Sequence, residues 1–357
     1  MMAVYFISGI QQIGIGTENL QESWKWYIDM FQTDVRILED DSVASLMLPY
    51  TGNEPQKRHA CIAVNLQGGG GVEIWQYTQR KPQSPLFEIQ IADLGIFAAK
   101  IKSRNPAELH QEIKAKYDNI SDIAYTPDGK STFYLQDPFG NYFQIIEDAY
   151  VFVDEKRFAG GVVGPMIGVS NIEKALPVYQ DILGYDTIVY DKTDVFHDWG
   201  FIKGGDQKYR RVLLKHSQKR KGAFANMFGP SEIELVMACD RQAKKIYENR
   251  YWGDPGFIQI CFDVSHMQEL KAYCREKGFP FTVDSCANQS EFDMGEASGH
   301  FTYIEDPDGT LIEFVETHKI PLIKALGLHI NLLKRKREKL LPKFLFRLMA
   351  LNKVKID

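Results

Sequence analysis

Two segments of this chain occur twice. Asn19–Phe31 (NLQESWKWYIDMF) is matched by Asn171–Leu183 (NIEKALPVYQDIL), with Tyr27 on Tyr179 and Asp29 on Asp181 at an offset of 152 residues. Tyr134–Glu147 (YLQDPFGNYFQIIE) is matched by Tyr303–Glu316 (YIEDPDGTLIEFVE) at an offset of 169. A chain that repeats itself at this spacing builds its fold from copies of one supersecondary unit. The larger second offset assigns an insertion to the second half, within Lys203–Phe228 or near Asp284–His300.

Each half divides again. Four runs, Ile10–Gly16, Ile91–Phe97, Val162–Val169 and Phe257–Val264, carry the alternating or wholly apolar pattern of strands. A helix follows each. Asn19 and Asn171 stand as N-caps, while Leu20, Ser23, Trp24, Tyr27 and Ile172, Ala175, Leu176, Tyr179 recur at helical spacing. Pro177 lies inside the second of these helices, and its missing N–H predicts an irregularity there. Val72–Tyr77 and Ile233–Met237 alternate as strands; DPFGN at 137–141 and DPDGT at 306–310 are turns, with Asp and Pro at entry and Gly for positive φ. A single strand-helix-three-strand unit leaves one sheet face uncovered, so four units pairing into two sheets is the expected solution.

The expected fold class is therefore α+β, with four βαβββ modules forming two cup-shaped mixed sheets, plus a C-terminal helical tail. Residues 1–150 are assigned to a first domain of two modules, 160–318 to a second, and 319–357 to a basic amphipathic tail. At 357 residues and 44% hydrophobic, the chain can fill two cores, and no run is apolar enough for a membrane span. The opening MMAVYFISGIQQIGIG has no basic n-region and reads as a strand. Five cysteines at spacings matching neither a zinc ribbon nor a CxxC motif point to a reducing cytoplasm.

Charge is unevenly placed. Residues 319–357 hold eleven Lys or Arg against Glu338 and Asp357, a balance of +9 in a chain of net charge −5, which leaves −14 on the rest. An acidic body argues against nucleic acid as its partner. Two readings of the tail stay open: peripheral contact with an anionic membrane, or a helix packed on the acidic body. The Gly68–Gly71 run leads into a strand, so it is a turn and not a phosphate loop. The basic run Gln207–Lys221 reads as a solvated strand and loop, or as a contact for an anionic substrate. His197 and His300 are the two histidines singled out for a cavity role.

The opening strand followed by N-L-x-x-S-x-x-W-Y, and the closing D-P-x-G-N motif, resemble the vicinal oxygen chelate superfamily of glyoxalase, bleomycin-resistance and extradiol dioxygenase proteins, over residues 5–317. In that family each paired sheet can hold a divalent metal, with one ligand from the first and one from the last strand of each module. The resemblance then implies Gln12, Glu73, Asp93 and Gln144 as one metal set, and Glu234, Gln259 and Glu313 as another, with Gly164 at the fourth position bringing no donor. The usual pattern has histidines at these positions, and this chain has none.

Oxygen donors without imidazole or thiolate favour a hard cation such as Mg2+, Mn2+ or Ca2+. The expected cofactor is a divalent ion, with Mn, Mg, Ni and Zn all open, or no cofactor. Glu73 or Glu313 is the expected catalytic base, and Glu234 and Glu313 are expected to share a cup and split their pKa values. Three functions remain: a metal-dependent lyase, isomerase or epimerase that abstracts a proton beside a carbonyl of a small metabolite; a metal-free sequestration protein; and an iron dioxygenase of the hydroxyphenylpyruvate dioxygenase layout. Monomer and homodimer both stay open.

Overall fold

A computed structural model describes residues 5–288, 292–293, 298–323 and 326–356. The four modules are present. The first is β1 (Phe6–Thr17), α1 (Leu20–Phe31), β2 (Val35–Ala44), β3 (Gln56–Val64) and β4 (Gly71–Tyr77). The second is β5 (Gly95–Ser103), α2 (Pro106–Lys114), β6 (Ala124–Tyr125), β7 (Ser131–Gln136) and β8 (Tyr142–Glu147). The third is β9 (Ala159–Gly168), α3 (Ile172–Pro177), β10 (Thr187–Asp194), β11 (Tyr209–Lys215), a short α4 (Ala225–Phe228) and β12 (Glu232–Ala238). The fourth is β13 (Gly256–Ser265), α5 (Met267–Glu276), β14 (Val283–Asp284), β15 (Phe292–Asp293), β16 (Ser298–Glu305) and β17 (Leu311–Ile323), followed by β18 (Leu328–Asn331) and α6 (Lys343–Met349).

The two sheets do not follow the halves of the chain. One runs β14-β16-β17-β13-β1-β4-β3-β2, and the other β10-β11-β12-β9-β5-β8-β7-β6. The first module is thus joined to the fourth and the second to the third, through antiparallel seams β1–β13 and β5–β9. Each half is still held together by side chains. Tyr27 on α1 donates to Asp137 in the turn after β7 at 2.9 Å, and Tyr179 donates to Asp306 in the turn after β16 at the same distance. These are the residues that make the two repeated motifs match.

Local signals hold where they were physical. Asn19 and Asn171 accept from Glu22 N and Lys174 N as N-caps, and Asn105 does the same for α2 through Glu108 N. Beyond Pro177 the third module's helix widens into a π turn over Val178–Ile182, with Leu183 N bonding to Val178 O at 3.1 Å. A proline cannot donate and crowds the preceding turn, so the helix absorbs it with one longer-range bond. The first insertion site is the β11–β12 connection, residues 216–231, where β3–β4 has only 65–70. The second, near Asp284–His300, lies partly outside the described residues.

The tail differs from expectation. β17 continues to Ile323 and pairs with β18, placing Ile320 opposite Ile330, so helix is confined to α6 and a following turn at Ala350–Asn352. Ile320 and Leu322 alternate as a strand does, and an available sheet edge outweighs weak helical spacing. Leu332, Leu341, Phe346 and Met349 pack with Phe152 and Phe224 in a second apolar cluster. Among the described residues, no helix is long and apolar enough to cross a membrane.

Candidate active site

Pairing the first module with the fourth collects Gln12 from β1, Glu73 from β4, Gln259 from β13 and Glu313 from β17 on one concave sheet. Gly14 sits between Glu73 and Gln259 in the β1 pairings. A Cβ at Gly14 would lie 2.8 Å from Gln259 Cδ, so the glycine leaves the room that the amide fills. Gln259 Nε2 donates to Glu73 Oε2 at 2.9 Å and to Glu313 Oε2 at 3.3 Å, clamping the two carboxyl groups. Its Oε1 is taken by Trp252 Nε1 at 2.6 Å. Indole nitrogen only donates, so the tryptophan fixes which way the amide faces.

Gln12, Glu73 and Glu313 form the polar floor of a cavity of about 420 Å³, in the range of small-molecule sites, with Gln259 fully buried behind the two carboxyl groups. Its walls are apolar, and include Leu38, Ile62, Trp75, Phe228, Val315 and Phe346. Glu313 is buried, while Glu73 opens toward the cavity. Burial, together with the charge of Glu73, pushes Glu313 up to about 8. Burial also raises Glu73, but Arg58 pulls it back. Arg58 forms an ion pair with Asp40 and lies 4.7 Å from the Trp75 ring centre. One carboxyl group faces a cation and the other faces a carboxylate, so the first proton to leave belongs to Glu73. Tyr303 and Cys261 present donors to Glu313.

The donor chemistry decides what ion the floor suits. Gln12 is buried and its Oε1 has no partner, which leaves a lone-pair donor beside two carboxyl groups. Those three oxygens fit a hard cation, whereas Gln259 turns N–H groups inward and contributes no oxygen. Among the described residues no group of three or more His, Cys, Asp and Glu side chains is placed to hold a metal. His197 is exposed in the turn after β10, and His300 packs edge-on against His318 with ring centres 5.0 Å apart; neither lines the cavity.

The remaining expected ligands lie elsewhere. The first strand of the second module begins at Gly95, not Ile91, so Asp93 precedes the sheet. Asp93 accepts from Arg241 Nη1 at 2.7 Å, Gln90 N at 2.9 Å and Lys244 N at 3.0 Å, and so pins one inter-module connection to the other. Asp254 pairs with Arg80 in the same way, each residue 161 positions from its counterpart. Asp93 is thus a structural anchor, placed ahead of β5 and bonded to the connections and not to the residues of either cup.

Gln144 and Glu234 belong to the other cup, so Glu234 does not share a site with Glu313. Gln144 Nε2 donates to Thr132 Oγ1 at 3.1 Å. Glu234 accepts from Arg211 Nε at 2.7 Å, Tyr190 OH at 2.7 Å and Lys100 Nζ at 3.0 Å. Burial alone would raise Glu234, but Arg211 and Lys100 hold it down at about 2. Arg211 in turn binds Asp198 at 2.8 Å and stacks 3.9 Å from the Trp199 ring centre. Here the protein's own cations occupy the carboxylate. At Gly164 a Cβ would meet the Glu232 carbonyl oxygen at 1.6 Å, so close backbone approach explains the missing donor.

Sequence reasoning missed Arg58, Trp252 and Tyr303. Arg58 was findable, since it alternates in step with Ile62 and Val64 on β3, all of them lining the cavity. Tyr303 opens the second copy of a repeated motif. Trp252 lies in an inter-module connection, where no periodicity marks a side chain as inward.

Residues 166–298 match the family model described as the glyoxalase/bleomycin resistance protein/dioxygenase superfamily. The chain is similar in fold to glyoxalase I from Zea mays, at 14% identity and a TM-score of 0.53, covering 86% of this chain and 92% of that one. It is also similar to a proposed dioxygenase from Bacillus subtilis, at 12% identity and a TM-score of 0.54, covering 87% of this chain and 86% of the other. No curated protein sequence matches the chain.

Proposed function

We propose that this chain, which belongs to the glyoxalase, bleomycin resistance protein and dioxygenase superfamily, moves a proton on a carbon next to a carbonyl of a lipophilic substrate held in the cup built by β1, β4, β13 and β17. The observation that carries this reading is the clamped pair Glu73 and Glu313 at the floor of an apolar cavity. Two carboxyl groups whose surroundings split their proton affinities supply a base and an acid at one pH. Glu73, beside Arg58, is the ionised base. Glu313 keeps its proton near neutrality and returns it to the substrate oxygen or to the opposite face of the carbon. Gln259 holds both groups in register, and the aromatic and aliphatic walls exclude water, which strengthens each charge–dipole contact.

A hard divalent cation such as Mg2+ or Mn2+ would be held by Gln12, Glu73 and Glu313, and when bound it supplies Lewis-acid polarisation of a carbonyl oxygen. The absence of imidazole at Gln12, Glu73, Gln259 and Glu313 disfavours Ni2+ and Zn2+, and leaves an iron dioxygenase without its facial triad.

The test is carbon-bound hydrogen exchange. Carbonyl compounds with an acidic α-hydrogen, incubated in D2O with the full chain and with or without Mn2+, should lose that hydrogen signal by NMR, and Glu73→Gln should abolish the loss. Tight retention of a planar apolar ligand with no exchange in any compound would instead support sequestration. That second reading draws on the predominantly apolar walls and on a floor satisfied internally by Gln259.

A further inference from the structure

We propose that the C-terminal segment docks on an anionic lipid bilayer, with α6 lying between the membrane and the cavity. The segment divides its side chains between two environments. Phe346 and Met349 on α6 turn inward and line the cavity. Phe344 on the same helix is 60% exposed, with Lys343 and Arg347 exposed beside it. Of the thirteen large hydrophobic side chains exposed among the described residues, five (Leu326, Leu328, Leu333, Phe344 and Leu351) fall in this segment. Such a concentration next to cations is the arrangement that settles at a headgroup boundary.

The charges separate a bilayer from the alternative that the tail simply neutralises the body. If the acidic body were the partner, the tail's cations would be spent in ion pairs with it. Arg337 does reach Glu316 at 3.7 Å, and Lys353 reaches Glu155 at 2.6 Å. Among the described residues, Lys334, Lys336, Lys339, Lys343 and Arg347 form no ion pair, and all five are exposed. The rest of the chain carries −14 and is repelled by an anionic surface, so the molecule approaches with the tail foremost. A nucleic acid would satisfy the cations but offers nothing to bury Leu333, Phe344 and Leu351, whereas the acyl boundary of a bilayer does both. This inference does not depend on the proton-transfer reading. It adds a route by which a membrane-dissolved substrate meets a wall of the cavity.

The experiment is co-sedimentation of the full chain with vesicles of phosphatidylcholine alone, and of phosphatidylcholine mixed with phosphatidylglycerol, at low and high salt. Binding is expected only to the mixed vesicles, and it should weaken as salt rises. The triple change Lys334→Gln, Lys336→Gln, Lys339→Gln should weaken it by on the order of a hundredfold. Phe344→Ser with Leu351→Ser should weaken it while leaving the salt dependence in place. All five positions are exposed, and an unchanged circular dichroism spectrum confirms the fold of each variant. Equal binding to both vesicle types, binding to neither, a triple variant that binds like the parent, or preference for duplex DNA over the mixed vesicles would each overturn the proposal.

Discussion

The indole N–H of Trp252 donates to Gln259 Oε1 at 2.6 Å, and this one bond leaves only N–H groups facing Glu73 and Glu313. The amide therefore acts as a clamp on two carboxyl groups and withholds an oxygen from any cation. Trp252→Phe frees the amide to turn. Titration calorimetry with Mn2+ should show tighter binding to this variant than to the parent; equal affinities would mean that another contact holds Gln259.

Glu313 keeps its proton up to about pH 8 in the folded chain, against an ordinary value of 4.5. Between those values folding takes up a proton, so stability is greatest at the acid end and falls as pH rises, by ~1.4 kcal/mol per pH unit at most. Glu313→Gln removes this dependence. Urea melts should find the variant close to the parent near pH 5 and more stable than it near pH 8, with the reverse order contradicting the assignment.

The same proton competes with a cation. Mn2+ uptake requires Glu313 to ionise, so affinity should climb as pH approaches 8, with proton release detectable as a buffer-dependent heat. Affinity independent of pH over this window would place the ion elsewhere.

Asp93 anchors one inter-module connection to the other through Arg241. Asp93→Asn should lower the free energy of unfolding by about 2 kcal/mol, because it weakens a buried, charge-assisted set of three hydrogen bonds. Ligand and Mn2+ binding in the cavity should be unaffected, and a loss of metal binding with stability intact would restore Asp93 as a ligand.

Glu234 sits between two buried cations in the second cup. Glu234→Gln leaves Arg211 and Lys100 short of a counter-charge, which should destabilise the fold by about 3–5 kcal/mol in denaturant titrations. The hydrogen exchange proposed for the first cup should survive in the folded fraction.

Gln12, Glu73, Gln259 and Glu313 were each legible as inward polar residues, because the repeat marks their strands and alternation marks their faces. Their convergence was not legible. All four were placed, but in two different sets, since the sequence was divided at its midpoint while the sheets join its outer modules. The position of Asp93 was not legible for a related reason. The apolar run Ile91–Phe97 reads as the strand, whereas β5 spans Gly95–Ser103 and carries Lys100 and Lys102 inside it. Both lysines are buried and partnered by Glu234 and by the Tyr150 carbonyl oxygen, contacts invisible to a pattern of hydrophobicity.

What the chain determines by itself is local. Asparagine caps, the proline that widens a helix, the Asp-Pro-x-Gly turns and the alternation of short strands specify four modules, because each depends on backbone geometry within a few residues. Which module meets which was decided only in three dimensions. The opening strands β1, β5, β9 and β13 offer similar apolar edges whose backbone hydrogen bonds carry no identity, so any two could pair. The choice falls to long-range contacts, the crossed Arg80–Asp254 and Arg241–Asp93 pairs, the Gln259 bond to Glu73 between the fourth and first modules and the Lys100 bond to Glu234 between the second and third. With that choice, one cup keeps an open carboxylate pair and the other closes around its own cations.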